Sequence, residues 1–411
     1  MISIAAAPAQ TQSGDFAEAI QATLANHPAI IGKQAEAEAG DFAVREARSQ
    51  RLPSLSAQAS RYVDDDRSVL TNDDLSTPVT LRLRQPLYAF GRIGDSIDLA
   101  EAGSRREQAD LFRVRRELIQ ETALAYLAVL SARERVSVAQ ANLDQLAELR
   151  AQIQRRAEGE LASDADIRLA ATRVAQGRIQ LERFRGELEI ALSDLHSLTR
   201  EAVDAQDDVP SALTELPSDI ELRQSILNQS ADLQLREKRI EEVSAETKRI
   251  RSSARPTLYL QAERYHDQPG LRDDSQVSIV FDTNLEGMGF VNRHRAGASS
   301  ARQIAAEQDL AATRVDLLRQ FHRLRANREL QGDLMTLQSA SVADMEALLD
   351  SYRRQYESGS KSWLDVLNIQ RELNENRLQQ AQTENDWLAQ TLKLQALSGG
   401  LDDLVGLESP Q

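Results

Sequence analysis

The sequence predicts a mainly α-helical protein with a β-barrel part, the whole architecture built twice along one chain. Three observations carry that reading. Pro53, Leu55, Gln58, Ala59, Arg61 and Tyr62 return at an offset of 203 as Pro256, Leu258, Gln261, Ala262, Arg264 and Tyr265. A second set, Val79, Leu81, Leu83, Leu87 and Gly91, meets Val277, Ile279, Phe281, Leu285 and Gly289 at an offset of 198, the smaller offset marking a shorter loop in the second copy. Internal repetition is settled first because it dictates the architecture that every other element must fit. Finally, aromatic residues are only 4% and charged residues 27% of the 411 positions, a composition typical of long helices and coiled coils rather than of a compact enzyme core.

Each half reads as helix, strand, loop, strand and a very long helical hairpin. The segment Asp15 to Ser49 is helical, with Ile20, Leu24, Ile31 and Ala35 at helical spacing, Asp15 as N-cap, and a break at Asn26-His-Pro28. Its counterpart runs from Ser218 to Ser252. Strands follow at Pro53 to Val63 and Pro78 to Tyr88. In the second of these Val79, Leu81 and Leu83 point one way while Thr80, Arg82 and Arg84 point the other. The repeat sets Leu258, Leu260 and Ala262 against Thr257, Gln261 and Glu263, and Val277, Ile279 and Phe281 against Ser278 and Asp282, with Val280 spoiling the polar face. Strands of about ten residues with one apolar and one charged face fit a transmembrane barrel; a half-buried sheet in a soluble protein alternates in the same way. The stretches Asp64 to Thr77 and His266 to Ser275 read as solvated hairpin tips.

Gly91 and Gly289 sit where strand turns into helix. A helix from Gly91 to about Ala157 would extend roughly 100 Å. After Gly159 the return helix carries Ile167, Val174, Leu181, Leu188 and Leu195 every seven residues, with Ala170, Gly177, Phe184, Ala191 and Leu198 three later, a sustained a/d seam. The second copy gives Phe290 to Glu357, a turn at Gly359, and Ser362 to Leu397, ended by Ser398-Gly-Gly400. Its seam is looser, with Asn376 and Gln380 on it. The expected organisation is therefore 1–14 as a residual export signal or a disordered segment, 15–203 as the first repeat, 204–217 as an acidic linker, 218–400 as the second repeat, and 401–411 as a short polar tail.

Composition also excludes. A net charge of −15 argues against nucleic acid, which needs clustered Lys and Arg. Cysteine is absent, which removes disulfides, thiolate metal sites and a lipid-bearing N-terminal Cys. No apolar run reaches the ~20 residues of a membrane-spanning helix, so any bilayer must be met with strands. Ala7-Pro-Ala9 resembles a signal-cleavage site, without the basic and apolar stretches that normally precede one. The five histidines are scattered and form no two-His helical zinc motif. Gly287-Met-Gly289 lacks the glycines and acidic partner of a nucleotide loop. Neither a nucleophile elbow nor a carboxylate pair with a neighbouring base stands out, so no enzyme, cofactor or metal is expected.

The two helix-to-helix turns, Arg156-Ala-Glu-Gly159 through Ser163-Asp-Ala-Asp-Ile167 and Tyr356-Glu-Ser-Gly359-Ser-Lys-Ser-Trp-Leu-Asp365-Val-Leu-Asn368, both place carboxylates at a helix start, where the dipole favours them. Simple capping explains that much.

Across nearly its whole length the sequence resembles the TolC-type outer-membrane factors. Asn26-His-Pro28, Arg51-Leu-Pro-Ser-Leu55, Gln85-Pro-Leu-Tyr-Ala-Phe-Gly91, and Tyr356-x-x-Gly359 followed by Leu364-Asp-Val-Leu367 carry the likeness. The strand-to-helix run from Gln85 to Gly91 is the most specific of these. The resemblance implies a homotrimer in the Gram-negative outer membrane. Each protomer gives four strands to a shared twelve-stranded barrel and long helices to a periplasmic tunnel. Such a channel docks on a periplasmic adaptor (membrane fusion) protein and an inner-membrane transporter, and serves tripartite efflux or type I secretion. The resemblance further implies a gate at the second tip with two aspartates three apart. Asp365 matches the first, and Asn368 stands in place of the second. It implies a tip latch in which a Tyr and an Arg reach an Asp on the neighbouring hairpin. Tyr356 matches the Tyr, and Lys361 replaces the Arg with a point charge that lacks the guanidinium fork. The acceptor is Asp166 by the Ala165-Asp-Ile167 match, or Asp164 by distance from Gly159. A periplasmic adaptor would show one hairpin with lipoyl-type modules, and a soluble coiled-coil scaffold would leave the two-faced strands unexplained.

Overall fold

The computed structural model describes residues 15–60, 79–203, 205–266, 273–283 and 286–407. The expected end of the first strand through Val63, the loop 64–77, residues 267–272 of the shorter loop, Leu285, Asp204 and the segments 1–14 and 408–411 lie outside them.

Helix α1 (Asp15–Asn26) gives way to α2 (Pro28–Ser49) at the expected break. Pro28 has no N–H to continue a helix and suits the first position of a new one. The Ala29 N–H is taken by His27 Nδ1 at 3.3 Å. The counterpart, expected as one run, is also divided: α6 (Asp219–Gln229) and α7 (Ala231–Ser252) meet at Ser230. Ser218 and Glu221 form a capping box at its start.

Strands β1 (Ser54–Ala59), β2 (Val79–Tyr88), β3 (Thr257–His266) and β4 (Asp273–Asp282) form one antiparallel sheet in the order β1-β2-β3-β4. The pairing of β2 with β3 joins the two sequence repeats. The register aligns Leu55, Leu83, Ala262 and Val277 across one face, and Ser56, Arg82, Glu263 and Gln276 across the other. Arg82 pairs with Glu263 and Arg84 donates to Gln261 on the polar face. The apolar face is the uncovered one: Leu55 is 73%, Val277 73%, Ile279 68% and Phe281 62% exposed. Among the described residues no helix is long and apolar enough to cross a membrane.

At the corners leaving β2 and β4 the backbone turns left-handed. Phe90 and Gly91 have φ of 48° and 90°, and Gly287, Met288 and Gly289 have 55°, 57° and 88°. Gly91 is further constrained by Arg255, whose Nη1 donates to the Phe90 carbonyl at 2.9 Å and would lie 3.0 Å from an added Cβ.

Four helices make the two hairpins: α3 (Arg92–Glu158) with α4 (Asp164–Thr199), and α8 (Phe290–Glu357) with α9 (Trp363–Ser398). On α4 the expected seam is buried at Ala170, Gly177, Leu181, Phe184, Leu195 and Leu198. Gly177 lets the seam pack closely there, where a Cβ would stand 3.1 Å from Leu146 Cδ1 and press on it. On α9 the buried polar residues are Gln370, Asn374, Thr383, Thr391, Gln395 and Ser398. Gln380 instead reaches Ser339 at 3.1 Å, and Asn376 bonds the Glu372 carbonyl of its own helix.

The chain forms two compact units that do not coincide with the sequence halves: one takes residues up to Ile31, Phe112–Ala231 and Arg314 onward, the other Gly32–Leu111 and Asp232–Thr313. Within the first, Phe16, Ile20, Ile119, Tyr126, Leu195 and Leu392 build a core that also swallows Ala205, Val209, Leu213 and Leu401. The stretch expected as a linker therefore packs, and includes the short helix α5 (Ser211–Thr214). The expected polar tail is tied down too, with Leu401 buried and Asp402 paired to Arg116 at 2.8 Å.

Candidate functional site

Both hairpin turns use the same local chemistry. In the first, Glu160 is left-handed with φ 60°, and in the second Gly359 has φ 79°. The Glu160 N–H bonds Ala157 O at 3.0 Å and the Leu161 N–H bonds Arg156 O at 2.8 Å; Gly359 and Ser360 repeat these bonds to Tyr356 O and Gln355 O at 3.0 and 2.8 Å. Each is a Schellman closure. Three residues later a serine caps the returning helix. Asp166 Oδ2 accepts from the Ser163 N–H at 2.9 Å and its hydroxyl at 2.7 Å, while Ser163 Oγ accepts from the Asp166 N–H at 3.2 Å. Asp365 and Ser362 make the same three bonds at 3.0, 2.8 and 3.3 Å.

These bonds favour the ionised carboxylates. The Ser163 backbone, then its hydroxyl, then the Trp363 indole hold the Asp166 carboxyl below the usual aspartate range. The Ser362 hydroxyl, then its backbone, hold Asp365 down in the same sense, with the Lys361 charge adding to the effect.

The turns differ in what crosses between them. Trp363, the first residue of α9, donates its indole N–H to Asp166 Oδ1 at 2.9 Å. Its ring is buried with Tyr356, Ile153, Ala170, Val366 and Leu367. Arg156 lies 4.5 Å over the Tyr356 ring and donates to the Tyr356 carbonyl at 3.1 Å. Behind the turn a layer of amides continues the link, with Gln370 Nε2 donating to Asn142 Oδ1 at 3.3 Å.

Among the described residues neither the Tyr356 hydroxyl nor Lys361 reaches Asp166 within the protomer. Lys361 sits 4.6 Å from the Tyr352 ring instead. Asp164 is exposed at the start of α4. Asp365 is committed to its cap, and Asn368, one helical turn on, is exposed and lines a cleft of about 230 Å³ with Arg173, Arg371 and Asn374. Gly91 and Gly289 belong to the strand-to-helix corners described above. Sequence reasoning assigned no role to Trp363 or Arg156. The available signal was a tryptophan, one of only two in the chain, placed at the first turn of a helix where the other copy has Asp164.

For a metal, the described residues offer Glu36, Glu107 and Asp110, whose carboxylate oxygens lie within 4.8 Å of one another. Lys33 already fills that cluster, with Nζ 2.6 Å from Glu36 and 2.7 Å from Asp110. Those two partners, Asp110 foremost, raise the Lys33 pKa and keep it charged.

The comparisons agree with this architecture. The chain matches the family described as outer membrane efflux protein over residues 19–199 and 222–400. It is 25% identical to the proteases secretion protein PrtF of Dickeya chrysanthemi, over 95% of this chain and 89% of that one. Its fold is similar to that of the outer-membrane channel OprN, with a TM-score of 0.80 at 19% identity, covering 94% of this chain and 90% of that one. The outer membrane protein VceC of Vibrio cholerae gives a TM-score of 0.76 at 17% identity, covering 96% and 97%. The chain therefore belongs to the outer membrane efflux protein family, and it is an exit duct of the Gram-negative outer membrane rather than an enzyme.

Proposed function

We propose that three copies of this chain assemble into one channel, each four-stranded sheet supplying a third of a twelve-stranded barrel and the hairpins forming a helical tunnel in the periplasm. The observation that carries the proposal is the two-faced sheet. Its apolar face is exposed at Leu55, Val277, Ile279 and Phe281, its polar face bears Arg82, Arg84 and Glu263, and β1 and β4 are open edges. An exposed apolar face is at home in lipid, and closure removes the edges. With β1 and β4 running antiparallel, the β4 edge of one copy can accept the β1 edge of the next. We also read 15–203 and 218–400 as duplicated repeats joined through 204–217, which the two matched segments support.

The hairpin turns are the proposed gate. Within a protomer, Trp363 on Asp166 and Arg156 on Tyr356 hold the two tips together. Lys361 and Asp164, which make no ion pair among the described residues, are free to meet a neighbouring copy, and Asp365 with Asn368 lines the constriction. A periplasmic adaptor and an inner-membrane transporter would bind the open arrangement better and so shift its population. The relative that secretes proteases supports proteins as cargo, with small molecules as the alternative. The test is purification in detergent followed by planar-bilayer recording: a heat-dissociable trimer that conducts is expected, and a monomer that does not conduct overturns the proposal.

A further inference from the structure

We propose that a cleft at the strand-to-helix corners is an oxyanion station in the duct, where Arg92 and Arg249 take hold of a carboxylate or phosphate group on a passing solute. The inference rests on the duct reading. Strand β2 ends at Tyr88 and α3 begins at Arg92; α7 ends at Ser252 and β3 begins at Thr257. These two corners leave a cleft of about 440 Å³, lined from the sheet by Ser54, Pro86 and Tyr259 and from the helices by Arg92, Ser96 and Arg249. The sheet residues belong to the polar face. Ser54 pairs with Arg84, Arg84 pairs with Gln261, and Tyr259 stands two residues from Gln261 on the same side of β3.

Two features mark the cleft as a site for an anion. The first is unsatisfied charge in a chain whose net charge is −15. Among the described residues, the Arg92 guanidinium makes a single bond, from Nη2 to the Tyr259 hydroxyl at 3.0 Å. The Arg249 guanidinium makes none, and its Nε is buried without an acceptor. An unmatched guanidinium fork fits a carboxylate or phosphate. The second is preorganisation. Tyr259 is held from two sides, by Arg84 at 5.5 Å over its ring and by Arg92 on its oxygen. Its own hydroxyl proton therefore remains to be donated. A duct needs such a station to bind well enough for entry and weakly enough for release. Hydroxyls and two half-exposed arginines, without a closed cavity, meet that condition.

The test titrates the full chain in detergent with inorganic phosphate and follows the ³¹P line width, a readout that needs no channel. Saturable broadening is expected, weakened at least about tenfold by Arg92→Gln with Arg249→Gln. Arg249→Lys, which keeps the charge and the packing but not the fork, falls between. No broadening with the native chain, or equal broadening with the glutamine variants, overturns the station. If dihexanoyl phosphatidic acid broadens and inorganic phosphate does not, the cleft holds a lipid headgroup and the station in the duct is likewise overturned. Planar-bilayer recording separates the two levels of the argument. A channel whose conductance ignores phosphate overturns the station alone, whereas a chain that forms no channel overturns the duct reading beneath it.

Discussion

The two hairpin turns are near copies in their backbone and opposites in their role. Both close with the same Schellman bonds and both restart with a serine–aspartate capping box. Yet the second turn supplies the tryptophan and the tyrosine, and the first supplies the carboxylate and the arginine that receive them. Position by position, Trp363 stands where Asp164 does and Tyr356 where Ala157 does. The two turns share their backbone, and the differing residues at two positions make the pair complementary. Local capping specifies each turn alone, whereas these few unmatched residues specify that the turns adhere.

The largest way to break this comparison is Trp363→Ala. Removing a buried indole from the tip cluster is expected to cost about 3–5 kcal/mol, read by denaturant unfolding, and to raise single-channel conductance. Trp363→Phe keeps one aromatic ring in the cluster and loses the donor together with part of the buried surface. It should keep more of the stability than Trp363→Ala and still raise conductance. Acid provides the next test. The Asp166 carboxyl has its pKa lowered by folding, so its contribution to stability is complete above the ordinary value of 3.8 and is lost as pH falls through and below it. Unfolding temperature should therefore drop as pH is lowered past that value, and Asp166→Asn should flatten that drop more than Asp365→Asn, because only Asp166 joins the two turns. Tyr356→Phe combined with Lys361→Ala is expected to raise conductance by less than Trp363→Phe; no change would remove Lys361 from any latch between copies.

The smallest effects sharpen the backbone side of the comparison. Glu160 pays the left-handed penalty that Gly359 avoids. Glu160→Gly should stabilise the chain by about 1 kcal/mol and Gly359→Ala destabilise it by a similar amount, since nothing but φ opposes a Cβ at Gly359. Equal and opposite shifts in the unfolding midpoint are the expected result.

Much of the fold was legible because its signals are local and periodic. Alternation placed Leu81, Leu83, Val277 and Ile279 on one face, and heptads placed Leu181, Leu195 and Phe184 on a seam. Long-range packing hid the rest. The stretch 204–217 reads as acidic, but Ala205, Val209 and Leu213 recur every four residues and are buried, a small apolar stripe masked by its charged neighbours. The left-handed residue of the first turn is Glu160, although Gly159 beside it is the residue a sequence reading selects. The resemblance offered Asp166 or Asp164 as acceptor for Tyr356 and Lys361, whereas within the protomer Asp166 accepts from Trp363. That donor was not legible, because a tryptophan at the start of a helix reads as packing until the opposite turn is seen to present a carboxylate.

The most direct test of the central claim, that the sheet is a membrane wall with a wet face and a greasy face, exploits the absence of native cysteine. Arg82→Cys and Leu83→Cys are adjacent on β2 and point to opposite faces. In reconstituted vesicles, a charged maleimide is expected to label position 82 and spare position 83, while a lipid-soluble maleimide labels position 83. Equal labelling of both positions by the charged reagent would contradict the account.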